Sequence, residues 1–487
     1  MRHVFFLKHW IVASRIYPND MKRIATLLFL IMPLIALAQS NTKPRVLVLS
    51  DIEADPDDTQ SLVRFLLYSN QFDVEGLVAT TSIHQKKRVA PESIEKVIDA
   101  YGKIHANLSR HEPGYPTREE LRSKVKKGLA VYGMEGVGEG KDSEGSEWIV
   151  GVLERPDDRP VWIPVWGGPN TLAQALWKIS QTRKGPDAER IYKKIRVYTI
   201  SDQDDSGPWI RKTFPGIFYV VTPGYNYTKA TWLGIAFPLP GSNSEVVSNE
   251  WLAKNIQQGH GPLGAAYPDV AYGMEGDTPS FLGLINNGLN DPEHPNYGGW
   301  GGRYELYLPK FEDSNQGPFK RENWPKDDPE TRPIWTNAND SVVSPVDKKS
   351  YVGNRETIWR WRTEFQNDFA ARMMWTTNDV SASNHPPVPK VAHEKMVVES
   401  GQEFHLNADG TMDPDGDSMS YWWFQYREAG TYKGNVNFRP YSPNLYDLPV
   451  IAPKVLKPET IHFILKVTDK GTPALTRYKR VIVTVTP

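Results

Sequence analysis

The sequence predicts an α/β domain built on a doubly wound, mostly parallel sheet, followed by a small all-β sandwich. Three observations predict it. From Pro44 to about Tyr304, apolar runs alternate with stretches of helical periodicity. Beyond a Pro- and Asn-bearing connector at 376–389, the pattern changes to short alternating segments split by turn clusters. The chain, at 487 residues, is also long enough for two or three domains. The boundaries that follow are a leader at 1–38, the α/β domain at 44–306, an extension packing on it at 307–375, a linker at 376–392 and the sandwich at 393–487.

In the α/β part, strands are expected at 46–49, 74–80, 161–165, 195–200 and 217–221, with helices such as 92–101 and 171–179 between them. Residues 309–345 are polar and Pro-rich and read as a surface excursion. A helix is expected over 355–374, where Ile358, Trp361, Phe365 and Phe369 recur at helical spacing and read as core. Short strands at 395–399, 403–406, 421–426, 462–468 and 481–485 then suit an immunoglobulin-like sandwich. Its turn Asp413-Pro414-Asp415-Gly416-Asp417 reads as hydrogen-bonded, with calcium as the alternative.

Composition narrows the function. With no cysteine, disulfides, thiol nucleophiles and thiolate metal sites are excluded. A formal net charge of −1 offers nothing to nucleic acid or an anionic membrane surface. The 16 Trp, 22 Tyr, 39 Pro and 37 Gly suit a loop-rich extracytoplasmic protein that handles sugars, though core packing uses the same rings. Near the start, Met21, Lys22 and Arg23 precede an apolar run at 24–35 and a small-residue site ending at Ala38. This is the layout of a secretory signal peptide cut after Ala38, too short and wrongly flanked to span a membrane. Export to the periplasm or beyond is expected without a stable membrane anchor, with Met1 or Met21 as the start.

The strongest signal follows the first strand. Asp51, Glu53, Asp55, Asp57 and Asp58 crowd together just before a helical pattern, at the sheet edge where open α/β folds bind ligands. Helix capping accounts for one or two acids. Five require neutralisation, and hard oxygen ligands suit Ca²⁺ or Mg²⁺. Three further stretches end strands or open helices: Trp166-Gly167-Gly168-Pro169-Asn170, Asp202-Gln203-Asp204-Asp205 with Trp209, and Glu275-Gly276-Asp277. Each alone reads equally as turn chemistry; together they would converge on one edge.

These residues carry a resemblance. Asp51-Ile52-Glu53, followed by Asp57-Asp58, resembles the acidic signature of nucleoside hydrolases, with Glu53 standing where the family has Asp. Gly167-Gly168-Pro169-Asn170-Thr171 resembles that family's calcium-binding loop, and Asp277 its late metal-ligating Asp. The chain is more closely similar to the nucleoside-hydrolase-like domain of cellulose-binding proteins, through Pro56-Asp57-Asp58, Ser201-Asp202-Gln203-Asp204-Asp205, Glu275-Gly276-Asp277-Thr278-Pro279 and Gly298-Gly299-Trp300-Gly301-Gly302-Arg303. The resemblance implies one Ca²⁺ held by Asp51, Glu53, Asp58, the Asn170 carbonyl and Asp277. It implies Glu53 as base, Asp51 in support and Asp57 as acceptor of a sugar hydroxyl. Two departures matter: Glu53 is a methylene longer, with Asp51 or Asp55 as substitute, and Gly276 replaces a His that assists leaving groups in some relatives.

Glu275, Asp202, Asp204, Asp205 and His260 remain candidates for that assistance, and Trp166, Trp209 and Trp300 for sugar platforms. The expectation is a secreted calcium-dependent glycoside hydrolase acting on plant-polysaccharide-derived glycosides. Non-catalytic polysaccharide binding is the alternative, and nucleoside hydrolysis the weaker one.

Overall fold

The structure, a computed structural model, describes residues 43–224, 227–310, 330–437 and 446–487. The expected leader with its cleavage after Ala38 lies outside them, as does the part of the surface excursion at 311–329. Pro44–Pro487 form one compact unit.

The first strands are β1 (Arg45–Ser50), β2 (Asp73–Ala79), β3 (Val125–Lys127), β4 (Val161–Val165), β5 (Ile195–Ser201) and β6 (Phe218–Thr222). With β7 (Tyr304–Tyr307) and β8 (Ile334–Asn337) they make one sheet of order β3-β2-β1-β4-β5-β6-β8-β7. All pairings are parallel except β7 on β8. Every residue of β1 is buried because both faces of the sheet are covered. Val46 and Val48 enter one core with Leu62, Phe65 and Leu66 of helix α1 (Asp57–Leu67) and Ile94, Val97 and Ile98 of α2 (Pro91–Gly102). Leu47 and Leu49 enter the opposite core with Ile149 of α3 (Glu144–Glu154) and Leu172 and Leu176 of α4 (Asn170–Thr182). That division is the two-residue alternation of a strand. Burying each such side chain contributes about 1.5–3 kcal/mol. The strand order runs one way from β1 and the other way from β4, so the crevice above their C-terminal ends is the topological switch point.

The extension is woven into this domain. β8 joins the sheet, and a hairpin of β9 (Asp340–Val343) and β10 (Ser350–Gly353) follows. The expected helix at 355–374 is two helices, Glu356–Trp359 and α5 (Arg362–Met374), broken at Arg360 and Trp361. Arg64 of α1 lies 3.9 Å over the Phe369 ring and donates to the Phe365 carbonyl, so α5 fixes α1 from behind.

The C-terminal strands are β11 (Lys395–Glu399), β12 (Glu403–Asn407), β13 (Met419–Gln425), β14 (Asp447–Ile451), β15 (Glu459–Asp469) and β16 (Thr476–Thr486). A four-stranded sheet, β11-β16-β15-β13, faces the β12-β14 pair across one core that includes Leu406, Trp423, Val450, Phe463 and Val483. The expected linker does not hold the sandwich apart. Arg477 pairs with Asp368 at 2.6 Å, Arg480 donates to the Leu289 and Gly298 carbonyls, and the Tyr426 hydroxyl donates to Asp340 at 2.6 Å.

Candidate active site and metal centre

The loop from β1 to α1 is folded by its own short polar side chains. The Ser50 hydroxyl accepts from the Ile52 amide and donates to Asp58 at 2.6 Å. The Asp55 carboxylate accepts from the Asp57 amide at 2.9 Å. No side chain caps α1, so capping does not account for Asp57 or Asp58. Both nevertheless sit in its first turn, where the helix dipole favours negative charge.

One carboxylate oxygen each from Asp57, Asp58 and Asp277 lies within 4.8 Å of the others. Asp277 is only 1% exposed and its Oδ2 receives no hydrogen bond; Asp51, beside the cluster, is equally buried and its Oδ1 is unpartnered too. Burial first, then mutual repulsion, holds the carboxyls of Asp57, Asp58 and Asp277 well above the usual range. Asp51 is pushed up to about 7, again chiefly by burial.

Glycines admit these acids. A Cβ on Gly167 would stand 2.7 Å from Asp51, and one on Gly276 would stand 2.8 Å from Asp57 and 3.0 Å from the Trp232 ring. The residue at 276 is therefore held to Gly by packing, and a His there would collide. Orphaned, buried, hard oxygen donors that no cationic side chain among the described residues pairs with fit Ca²⁺.

The structure does not bring every expected residue here. Glu53, expected as ligand and base, is turned outward at φ 79° and bonds Ser93 and Arg88. The Asn170 side chain is used up by Val131 and Thr80, and its carbonyl begins the α4 ladder. Asp202 is clamped by Arg211 at 2.8 and 2.9 Å, and Asp205 accepts from the Met134 amide at 2.8 Å. Glu275 is fully engaged by Arg64, Tyr267 and Thr278. His260 lies by Lys254 and Thr376 rather than the acids.

Two of the tryptophans are core residues: Trp166 is buried and donates to Ser280, and Trp300 is buried between Phe365 and Tyr478. Trp209 is half-buried and packs on Phe214 against the second core. Asp204 is the exception in its loop. Its Oδ1 is held by Ser206, its Oδ2 is unpartnered against Gly168, and burial pushes its carboxyl up to about 7.

Three residues at this edge escaped sequence reasoning. The His84 ring and the Tyr227 hydroxyl meet at 3.1 Å, and Tyr227 feels the charges of Asp51, Asp55 and Asp57. Trp232 packs edge-on against Tyr227 with ring centroids 5.8 Å apart. A signal existed for His84, which follows β2, the neighbour of β1; Tyr227 gave none.

Known proteins corroborate the architecture. The model of the nucleoside hydrolase-like domain of cellulose-binding Sde182 matches residues 45–304, and that of the C-terminal domain of cellulose-binding protein Sde0182 matches 403–485. A solved nucleoside hydrolase-related hypothetical protein from Saccharophagus degradans, associated with carbohydrate metabolism, is 35% identical, covers 91% of this chain and 100% of its own, and has a TM-score of 0.75. Mouse clustered PcdhgC3 EC1-3 overlaps at 13% identity over 31% of this chain and 42% of its own, with a TM-score of 0.13, and carries no argument. No curated protein matches. The chain belongs to the family of cellulose-binding Sde182 proteins with a nucleoside hydrolase-like domain.

Proposed function

We propose that the chain is a secreted, calcium-dependent glycoside hydrolase acting on plant-polysaccharide-derived glycosides. One observation supports this above others: three carboxylates converge at the switch point, the unpartnered oxygens of Asp277 and Asp51 lie within and beside them, and among the described residues no Lys or Arg pairs with Asp57, Asp58 or Asp277. Asp57, Asp58 and Asp277 would hold the ion, with Asp51 adjoining. Calcium bound there would neutralise the acids and supply Lewis acidity.

The chain's own groups would do the rest. Asp51, buried and with a free Oδ1, is suited to take a proton from the attacking water. The Tyr227 hydroxyl, held by His84, is suited to protonate the departing oxygen. Trp232, half-buried at the same edge, offers a ring face to a sugar.

Polysaccharide binding without turnover has its own support. Glu53 is withdrawn to Arg88, and Trp422 stands 62% exposed on β13 between two buried aromatics. Incubation with aryl glycosides, plant oligosaccharides and nucleosides, with calcium or chelator and beside Asp58→Ala, separates the two. Calcium-dependent sugar release lost in Asp58→Ala supports the hydrolase. No turnover, with calcium-independent retention on insoluble polysaccharide, leaves the binder.

A further inference from the structure

A second set of unpartnered oxygens lies far from the acid cluster in the chain, where the connector meets the sandwich. Asn384, Asp413 and Asp469 come from the connector, the Asp-Pro-Asp-Gly-Asp turn and the end of β15. Each keeps one buried side-chain oxygen without a hydrogen bond: Asn384 Oδ1, Asp413 Oδ2 and Asp469 Oδ2. Asp469 is 2% exposed and Asn384 7%. A buried acceptor left unpaired costs about 1–3 kcal/mol, and three on segments that pack against one another call for a common explanation.

The partnered halves of these side chains show that the orientations are fixed. Asp469 Oδ1 accepts from the amides of Gly471 and Leu475 at 3.0 and 2.9 Å and from Asn384 Nδ2 at 3.1 Å. Asn384 Nδ2 also donates to the Pro473 carbonyl at 2.7 Å. Flipping the amide would set its oxygen against two acceptors, so Oδ1 must face the unpartnered side. Asp413 Oδ1 accepts from the amides of Asp415 and Asp417, both at 3.0 Å, which leaves Oδ2 as the free lone-pair bearer. Asp413 lies close enough to Asp469 to raise its carboxyl further. Gly471 is required here, since a Cβ would fall 2.2 Å from the Asn384 amide.

We propose that Asn384, Asp413 and Asp469 form a structural calcium site that pins the connector to the sandwich, independent of the ion proposed for the α/β domain. All three donors are hard oxygens on short side chains, and the two carboxylates supply the charge that Ca²⁺ prefers. The neighbouring residues clasp the same place. Asp415 accepts from the His385 amide at 2.6 Å and lies 3.0 Å from its ring, while Trp375 donates to the Asn384 carbonyl at 3.0 Å. An ion here would therefore tie together α5, the connector and the sandwich.

Equilibrium dialysis of the full-length protein with ⁴⁵Ca²⁺ tests this. Asp413→Asn retains an oxygen for the two turn amides and removes the charge. It and Asp469→Asn should each lose one bound calcium per chain, while Asp58→Ala keeps that equivalent. Folded variants that bind as much calcium as wild type would overturn the site. If the variants fail to fold, hydrogen exchange of the wild type decides. Peptides over 376–389 and 408–418 should exchange more slowly with calcium than with chelator, and equal exchange would overturn it.

Discussion

Two acid-rich loops leave the same edge of the same sheet, one after β1 and one after β5, with only β4 between the strands. Both look alike as sequence. In the β5 loop, Asp202 is answered by Arg211, which Glu330 also holds, and Asp205 by a backbone amide. In the β1 loop no basic side chain among the described residues pairs with Asp51, Asp57 or Asp58, and Asp277 joins them as a further carboxyl. The lesson is that acid density marks a cation site only where the protein withholds its own cations. A loop that supplies them has spent its acids on its own stability.

Breaking each loop should therefore fail in a different way. Asp58→Ala should cut calcium-dependent turnover by on the order of 10³-fold, since a bound metal supplies several kcal/mol at the transition state. In chelator its melting temperature should hold or rise, because a like charge is gone; differential scanning calorimetry checks this beside the assay. Asp202→Ala should do the reverse. It removes one of the two carboxylates that hold buried Arg211, leaving Glu330 alone, and should cost about 1–3 kcal/mol in urea unfolding, with turnover per folded molecule little changed.

Asp204→Asn sharpens the boundary, because this acid sits in the β5 loop yet has the orphaned oxygen of the β1 cluster. It should lower turnover by about tenfold, the low end for groups supporting a metal site, without the unfolding that Asp202→Ala brings.

The pH dependence has a definite sign. Asp51 and Asp204 have folded values raised from 3.8 to about 7. Their contribution to stability is complete below about pH 3.8 and is lost as pH rises through about 7 in the metal-free protein. Calcium should therefore raise the melting temperature more at about pH 8 than at about pH 5, whereas equal shifts would argue against a carboxylate site. The smallest effect belongs to Glu53→Gln. Its exposed pair with Arg88 should change stability by about 0.5 kcal/mol or less, and turnover by about twofold at most.

Much of the frame was legible. The apolar runs gave β1, β2, β4, β5 and β6 within a residue or two, because buried parallel strands read as continuous Val, Ile and Leu, whereas β3, β7, β8 and β14 carried no such run and β16 begins five residues before its expected start. The acids at the end of β1 were legible because position alone puts them at the switch point. Partners were not. Arg64 and Glu275 are separated by 211 residues, and nothing local says that one neutralises the other. Glu53 kept the family spacing, yet its left-handed backbone aims it away. Trp166 and Trp300 lie in glycine-bearing loops that read as open, but those glycines let rings pack inward.

The metal centre is decided by a crystal structure of the protein grown with calcium. A calcium ion should lie among Asp57, Asp58 and Asp277 at about 2.3–2.6 Å from their oxygens, with Glu53 still on Arg88. Carboxylates that splay apart with no ion between them, in crystals saturated with calcium, would contradict it.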